Sequence, residues 1–288
     1  MRVGLNLPQY EIDVAGALGP EPVVAAARTA ERTGFDSVWL SDHPFALAPD
    51  GTVSGALEAM TTMGFIAAAT ERVTVGSLVL ASSMRSPEQL VAGARALRLV
   101  APERVVLGIG TGWYEPEHRA YGVPLRSYRS RLAELLGNLE ALELSSVPLV
   151  VGGVSENVIA AAGRFGAGWN CAWDVPADVF WSLCRDLDAE CERAGRNPSS
   201  VSRSIGVTVL VGARAERLRA VEAVRARAPF LASLDLSSLE TSIVSGSSED
   251  CAARIAAYGA DEVVITPFVR DDLEMIARIG EEIAPLLQ

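Results

Sequence analysis

Arg104-Val-Val-Leu-Gly-Ile-Gly-Thr-Gly-Trp113, followed by Tyr114-Glu-Pro-Glu-His118, is the stretch whose reading decides the fold. A short apolar run ends in three alternating glycines, and an aromatic and acidic cluster follows. It reads as a buried strand that delivers polar groups to one end of a sheet. Gly108, Gly110 and Gly112 leave that strand end without side chains, so another backbone or a flat ligand can come close; a tight bend at a barrel corner is the alternative. A dinucleotide-binding fingerprint is excluded. It needs glycine where Trp113 stands, an uninterrupted helix start where Pro116 stands, and a place after the first strand of the chain.

Outward from this stretch, strand-like and helix-like patterns alternate. The predicted strands are Val3 to Leu7, Phe35 to His43, Val73 to Ala81, Arg104 to Ile109, Pro148 to Gly153, Ala167 to Ala172, Ile205 to Val211 and Asp261 to Thr266. Between them lie Ala-rich segments with helix punctuation: Gly34 as a C-terminal stop, Pro87 in a first turn, Ser155 placed to cap. The segment from Pro44 to Gly55 reads as loop, and the chain from Pro229 to Gly246 has no clear pattern. Eight strands apolar on both faces, alternating with helices, predict an α/β fold: one (β/α)8 TIM-type barrel spanning residues 1–288 as a single domain.

Such barrels carry their sites at the C-terminal ends of the strands. Here those ends hold Asp42-His43, Leu78-Val79 and on to Ser83, Gly110 and Gly112 through Glu117, Gly152-Gly153, Asn170 with Cys171 to Trp173, and Thr266-Pro267. Polar and glycine residues alternate there with aromatics, as a pocket for a planar cofactor requires.

Composition narrows the chemistry. All 25 basic residues are Arg, so a Schiff-base lysine, a pyridoxal phosphate linkage and a Walker-type phosphate loop are excluded. A net charge of −11 argues against nucleic acid and anionic membrane as partners. The four cysteines form no CxxC pair, and with only His43 and His118 to supplement them no metal site is expected. Cys184 and Cys191 are expected to share the buried face of one helix. No run approaches the ~20 apolar residues of a membrane span, and the start reads as a strand rather than a signal peptide, so a cytoplasmic protein is expected.

The order of motifs resembles one family. Thr33-Gly-Phe-Asp-Ser-Val-Trp-Leu-Ser-Asp-His43, Val79-Leu-Ala-Ser-Ser-Met-Arg-Ser-Pro87, Gly108-Ile-Gly-Thr-Gly-Trp113 with Glu117 and Gly122, and Val151-Gly-Gly-Val-Ser155 with Gly166-Ala-Gly-Trp169 resemble the bacterial luciferase-like flavin and deazaflavin oxidoreductases. Asp-His at the end of strand two is most similar to the branch that uses coenzyme F420. The resemblance implies a TIM-type barrel, usually a homodimer, that transfers a hydride between deazaflavin C5 and a small organic substrate. The alternatives are an FMN-dependent monooxygenase and a catalytically silent flavin- or F420-binding protein.

The resemblance also implies roles. His43 is the acid or base beside the reacting ring, and Asp42 bonds the polar edge of the ring. Glu117 matches a recurrent acid, with an ion pair to Arg126 or Arg129 as the other reading. Gly152 and Gly153, ahead of Ser155 at a helix start, receive the cofactor phosphate, which suits bare N–H groups at a helix N-terminus. A non-prolyl cis peptide falls at Leu78–Val79. Leu78, Val79, Gly110, Gly112 and Cys171 join Asp42 as expected cofactor contacts. Trp39, Trp169 and Trp181 read as core or packing residues rather than cofactor contacts, and Trp173 as a pocket wall.

Two departures limit the transfer of a substrate. Trp113 stands where the family's F420-dependent glucose 6-phosphate dehydrogenases carry a catalytic Glu, and the Trp they place soon after the His is missing. Between Leu144 and Pro148, where relatives have a long excursion over the site, this chain has only Ser145-Ser-Val, so a more open substrate side is expected.

Overall fold

The computed structural model describes residues 1–15 and 17–288. Its strands are β1 (Arg2–Asn6), β2 (Ser37–Leu40), β3 (Phe45–Leu47), β4 (Val53–Gly55), β5 (Thr74–Ala81), β6 (Val105–Gly110), β7 (Leu149–Gly152), β8 (Gly168–Trp173), β9 (Ser202–Val211), β10 (Val244–Gly246) and β11 (Glu262–Pro267). The helices are α1 (Pro20–Thr33), α2 (Ala59–Ala69), α3 (Pro87–Val100), α4 (Glu115–Ala120), α5 (Tyr128–Leu142), α6 (Glu156–Phe165), α7 (Ala177–Arg193), α8 (Arg214–Arg227), α9 (Leu236–Ser242), α10 (Ser248–Ala256), α11 (Leu273–Arg278) and α12 (Ala284–Leu287). Parallel pairing runs β1-β2-β5-β6-β7-β8-β9-β11 and returns to β1, closing an eight-stranded barrel.

Several elements lie outside the expected pattern. Residues 44–55 contain the antiparallel hairpin β3–β4, whose three-residue strands are too short to show alternation. Helix α4 forms in spite of Pro116, which sits in its first turn where no N–H is needed. The unpatterned region after Pro229 contains α9, capped by Asp235, and β10, which pairs with β9 outside the closed ring. The last helix is interrupted by a π-turn over Ile279–Ile283 between α11 and α12.

Register parity decides what fills the barrel. Gly4 pairs with Ser37 and Trp39 with Gly76, so these residues share the inner face. Trp39 lies across the interior between the bare backbones of β1 and β5. A Cβ on Gly76 would stand 2.3 Å from Trp39 Cζ3, and one on Gly4 2.7 Å from its Nε1. Below it, Trp39 Nε1 donates to Ser37 Oγ at 2.7 Å and to Glu262 Oε1 at 3.1 Å, so the buried indole N–H and the buried carboxylate satisfy each other.

Further up, the glycines of β6 and β7 accommodate the protein's own chain. Cβ atoms on Gly108, Gly110 and Gly152 would lie 3.2, 2.8 and 2.6 Å from the Val79 methyls, and one on Gly108 only 2.0 Å from Ser77 O. The close approach foreseen for this glycine strand is therefore that of β5. The Leu78–Val79 peptide is cis, as the resemblance implies.

The helices pack outside. Trp169 is fully buried and stacks on Phe180 at 6.0 Å, and Cys184 and Cys191 face the same core. Trp181 packs at the rim rather than in the core: it is 44% exposed, meets Phe180 edge-on at 6.1 Å, and its Nε1 donates to Ala257 O at 3.4 Å.

The packing generates a stability test. Gly76→Ala forces a methyl into the fully enclosed Trp39 ring and is expected to cost about 1–3 kcal/mol in urea unfolding, the usual range for overpacking. Gly137→Ala, on exposed α5 with nothing within 4 Å of the added methyl, is expected to be neutral or stabilising by up to about 1 kcal/mol. Equal losses in the two variants would remove the argument that Trp39 needs bare backbone beside it.

Candidate active site

The C-terminal end of β2 delivers Asp42 and His43, and α4, which follows the glycine strand, delivers Glu117. His43 Nδ1 lies 2.7 Å from Glu117 Oε1. Glu117 is 4% exposed, so its charge is matched by the imidazole rather than by water. The expected alternative of an ion pair to Arg126 or Arg129 is not what forms: Arg126 pairs with Glu134 at 2.5 Å. The hydrogen bond to Glu117, with the nearby charges of Glu117 and Asp42, raises the His43 pKa above its ordinary value against the opposing effect of burial. Because Nδ1–H donates to the carboxylate, Nε2 is the nitrogen left for chemistry, and among the described residues nothing bonds it. Trp113 and Tyr114 meet the ring edge-on, each with its centroid at 6.2 Å.

Helix α4 has only six residues, and it is fastened by the buried residue after Glu117. His118 Nε2 lies 3.1 Å from Ser83 Oγ, and His118 Nδ1 lies 3.2 Å from Val123 O. The sequence reading did not single out Ser83 or the role of His118; a second histidine beside a candidate acid was the only signal available.

Asp42 is fully engaged within the protein. Arg85 holds it through both guanidinium nitrogens, with Nη2 to Oδ1 at 2.7 Å, and Ala81 N donates to Oδ2 at 2.8 Å. Arg85 Nη2 also donates to Glu58 Oε1 at 2.8 Å, while Glu58 caps α2 by accepting from Thr61 N at 2.7 Å. Burial opposes the charge on Arg85, but Asp42 and Glu58 outweigh it and hold the guanidinium above its ordinary pKa. The expectation that Asp42 bonds a ring edge therefore meets a carboxylate whose oxygens are already taken. Arg85 and Glu58 were not distinguished in the sequence, although Arg85 lies inside one of the family-like motifs.

Cys171 corrects another expectation. Its neighbour Asn170 occupies the inner face, pairing with Gly152 and Ser204, so Cys171 points outward into the core under α7 and is fully buried. Burial pushes its thiol up to about 12. Gly153 N donates to Asn170 O at 3.1 Å and Gly153 O accepts from Trp169 Nε1 at 2.8 Å. Ser155 occupies the N-cap of α6, but its hydroxyl lies 2.6 Å from Tyr128 Oη and makes no capping bond. Gly112 O accepts from Arg131 Nε at 2.8 Å, which ties the glycine strand to the first turn of α5.

His43 and Glu117 border a cavity of about 140 Å³, whose wall includes Pro44, Leu57, Met84 and Tyr121. At the C-terminal end of β1, Asn6 Nδ2 donates to Thr266 Oγ1 at 3.1 Å, and the buried Oδ1 has no partner among the described residues. An unpaired buried acceptor is costly unless a ligand donor meets it. Among the described residues, no group of three or more His, Cys, Asp or Glu side chains could hold a metal ion, and no helix is long and apolar enough to cross a membrane.

Comparison with known proteins agrees with this fold. A family model described as luciferase-like monooxygenase matches residues 1–145. An F420-dependent glucose-6-phosphate dehydrogenase of Kineococcus radiotolerans is 30% identical over 222 residues, covering 67% of this chain and 65% of that protein. One of the same name from Beutenbergia cavernae is 30% identical over 241 residues, covering 73% of this chain and 70% of that protein. The chain thus spans about two thirds of the length of these relatives. An F420-dependent secondary alcohol dehydrogenase, solved in complex with an F420-acetone adduct, superposes with a TM-score of 0.83 at 18% identity, covering 100% of this chain and 99% of that one. The coenzyme F420 dependent tetrahydromethanopterin reductase of Methanopyrus kandleri gives 0.75 at 14% identity, covering 100% and 99%. These two show the shared fold. With its first half matched by the family model and relatives at 30% identity along most of its length, the chain belongs to the luciferase-like monooxygenase family.

Proposed function

We propose that the protein is an F420-dependent oxidoreductase that exchanges a hydride between deazaflavin C5 and a small organic substrate. It is read as a cytoplasmic homodimer whose 288 residues act as one domain. The observation that carries the reading is the His43–Glu117 pair at the strand C-termini, bonded at 2.7 Å beside a cavity. F420 in the names of the relatives supports the cofactor.

The residues present fit a planar cofactor. On the inner face Gly110 and Gly152 leave bare backbone beside Val79, which lies with Leu78 in one apolar cluster. Asn6 Oδ1 offers an unused acceptor to a ring N–H. Gly152, Gly153 and Ser155, at the start of α6, are assigned to the phosphate, with Tyr128 beside Ser155 and Gly112 steadied by Arg131. When bound, F420 supplies a two-electron hydride donor or acceptor at C5. The protein has to supply the proton.

His43 is placed to do so at Nε2. Glu117 accepts from Nδ1, fixes the ring orientation and favours the protonated form. Asp42 holds the Ala81 backbone and Arg85, so its role is to position the segment beneath the ring.

A raised histidine pKa means that the protonated form is favoured in the folded state. Its contribution to stability is full below the unfolded value of about 6.5 and is lost as pH rises through the higher folded midpoint. Glu117→Gln removes the charge while leaving the burial, so the NMR titration midpoint of the His43 ring is expected to fall from its wild-type value. An unchanged midpoint would show that Glu117 does not set it.

His43→Gln is expected to lower kcat by about 10²–10⁴-fold with cofactor affinity little changed. A variant that keeps near-normal turnover while remaining folded in a thermal melt would reassign the proton. Fluorescence titration with F420 and FMN in parallel tests the cofactor, and F420 is expected to bind more tightly; full occupancy by co-purified FMN with no F420 binding would reverse the assignment.

A further inference from the structure

His43 lies beyond the end of β2, and few contacts hold the main chain that carries it there. Among the described residues, no backbone hydrogen bond reaches Asp42 or His43. The last anchored peptide before them is Ser41, and a side chain anchors it. Gln9 Oε1 accepts from Ser41 N at 2.6 Å, and Gln9 Nε2 donates to Ser41 O at 2.6 Å. Gln9 is fully buried, so neither end of its carboxamide is shared with water. The two-point contact also fixes which end of the amide is oxygen, since the reversed orientation would set donor against donor and acceptor against acceptor.

Strand parity explains why a side chain is needed. Leu7 N donates to Trp39 O at 2.9 Å, so Trp39 turns its carbonyl toward β1, and Ser41, two residues on, faces the same way. A continued ladder would answer Ser41 from the main chain that follows β1. Pro8 has no N–H, however, and Gln9 N is turned to Asp13 Oδ2 at 3.2 Å. The Gln9 side chain supplies both partners instead and extends the β1–β2 pairing past the point where the main chains part. Its own backbone is pinned on both sides. Asp13 is held in turn by Arg270 Nη1 at 3.2 Å, beyond β11, and Gln9 O accepts from Leu57 N at 3.1 Å, just ahead of α2.

We propose that Gln9 is a positioning residue for the His43 site: by clamping the Ser41 peptide it sets the place from which Asp42 and His43 project, and so keeps His43 Nδ1 in reach of Glu117 Oε1. The role deepens the hydride-transfer reading above and rests on it for its place in the reaction. Glu117 arrives on α4 and His43 on the segment after Ser41, and their hydrogen bond of 2.7 Å weakens steeply when either one shifts. Asp42 cannot stand in for the clamp. Its contacts to Ala81 N and Arg85 are made by the carboxylate at the end of a rotatable side chain, which leaves the peptides on either side free to turn. Without Gln9, Ser41 N and O lose both partners, and the segment has to move toward water to find others.

The test reads the protein alone by NMR and requires no substrate. Gln9→Met keeps the length of the side chain and adds no charge, so a change at His43 reports geometry. The charges that bear on the ring, Glu117 on α4 and Asp42 on its own strand end, stay as they are. Protection of the Ser41 amide against hydrogen exchange is expected to fall about tenfold. The titration midpoint of the His43 ring is expected to fall from its wild-type value, while the thermal melt stays cooperative. Gln9→Asn, also neutral and too short to span both groups of Ser41, is expected to give the same two changes and serves should the methionine variant not fold. A side chain that only fills space would leave both readings as in the wild type. An unmoved His43 midpoint in a folded variant overturns the positioning role; failure of both variants to fold assigns Gln9 to the fold and overturns it equally. Fluorescence titration of the wild-type protein with F420 runs separately. Its failure removes the hydride-transfer reading and leaves the Ser41 and His43 measurements to decide the role of Gln9.

Discussion

The seating of Val79 against the bare backbones of Gly108, Gly110 and Gly152 is the contact on which the site depends. It fixes where β5 ends, and from there the chain uses alternate residues to gather the functional groups. Ala81 N holds Asp42, Ser83 meets His118 on α4, and Arg85 returns to Asp42 and reaches Glu58. Between them, Ser82 accepts from Asn138 Nδ2 at 2.8 Å, anchoring the same segment to α5. A side chain on any of those glycines would lift Val79 and disturb contacts reaching β2, α2, α4 and α5 together.

The electrostatics follow from burial. Asp42 and Glu117 are mostly withdrawn from water, and each has a partner that satisfies it, since an unpaired buried carboxylate would be strongly destabilising. The two partners differ in kind. Arg85 cannot give up its proton, so the Asp42 pair is a fixed structural clamp. His43 can, so the Glu117 pair remains open to proton exchange. Adjacent residues on one strand end thus divide into a fixed support, Asp42 with Arg85, and a titratable pair, His43 with Glu117.

The barrel was legible because eight apolar runs alternate with punctuated helices, and burial on both faces leaves that pattern intact. The Leu78–Val79 geometry and the strand-end location of His43 were legible through motif order. Other features were not, for physical reasons. The glycines announce that something comes close but not what, and only the three-dimensional register shows that it is Val79. Parity also decides that Asn170 faces inward and Cys171 outward, and a one-residue shift would exchange them. Arg85 meets Asp42 and Glu58 across long sequence separations, which local pattern cannot reveal. Hairpin β3–β4 and helix α9 are short enough that tertiary contacts, rather than periodicity, sustain them.

The position of Glu117 gives the last step. Where the family's sugar-phosphate dehydrogenases have an acid, this chain has Trp113, which is 67% exposed and meets His43 edge-on. The carboxylate that serves the histidine comes instead from one turn of α4, four residues on, and it is buried. An acid at the Trp113 position would stand near solvent, where its charge is screened and its influence on the imidazole is weak. Buried Glu117 acts through a direct hydrogen bond in a less polar setting, where the same charge perturbs the histidine more strongly. The arrangement therefore gives the histidine a buried carboxylate partner without an exposed acid beside it. An aromatic surface, rather than a carboxylate, stands beside the imidazole at that position.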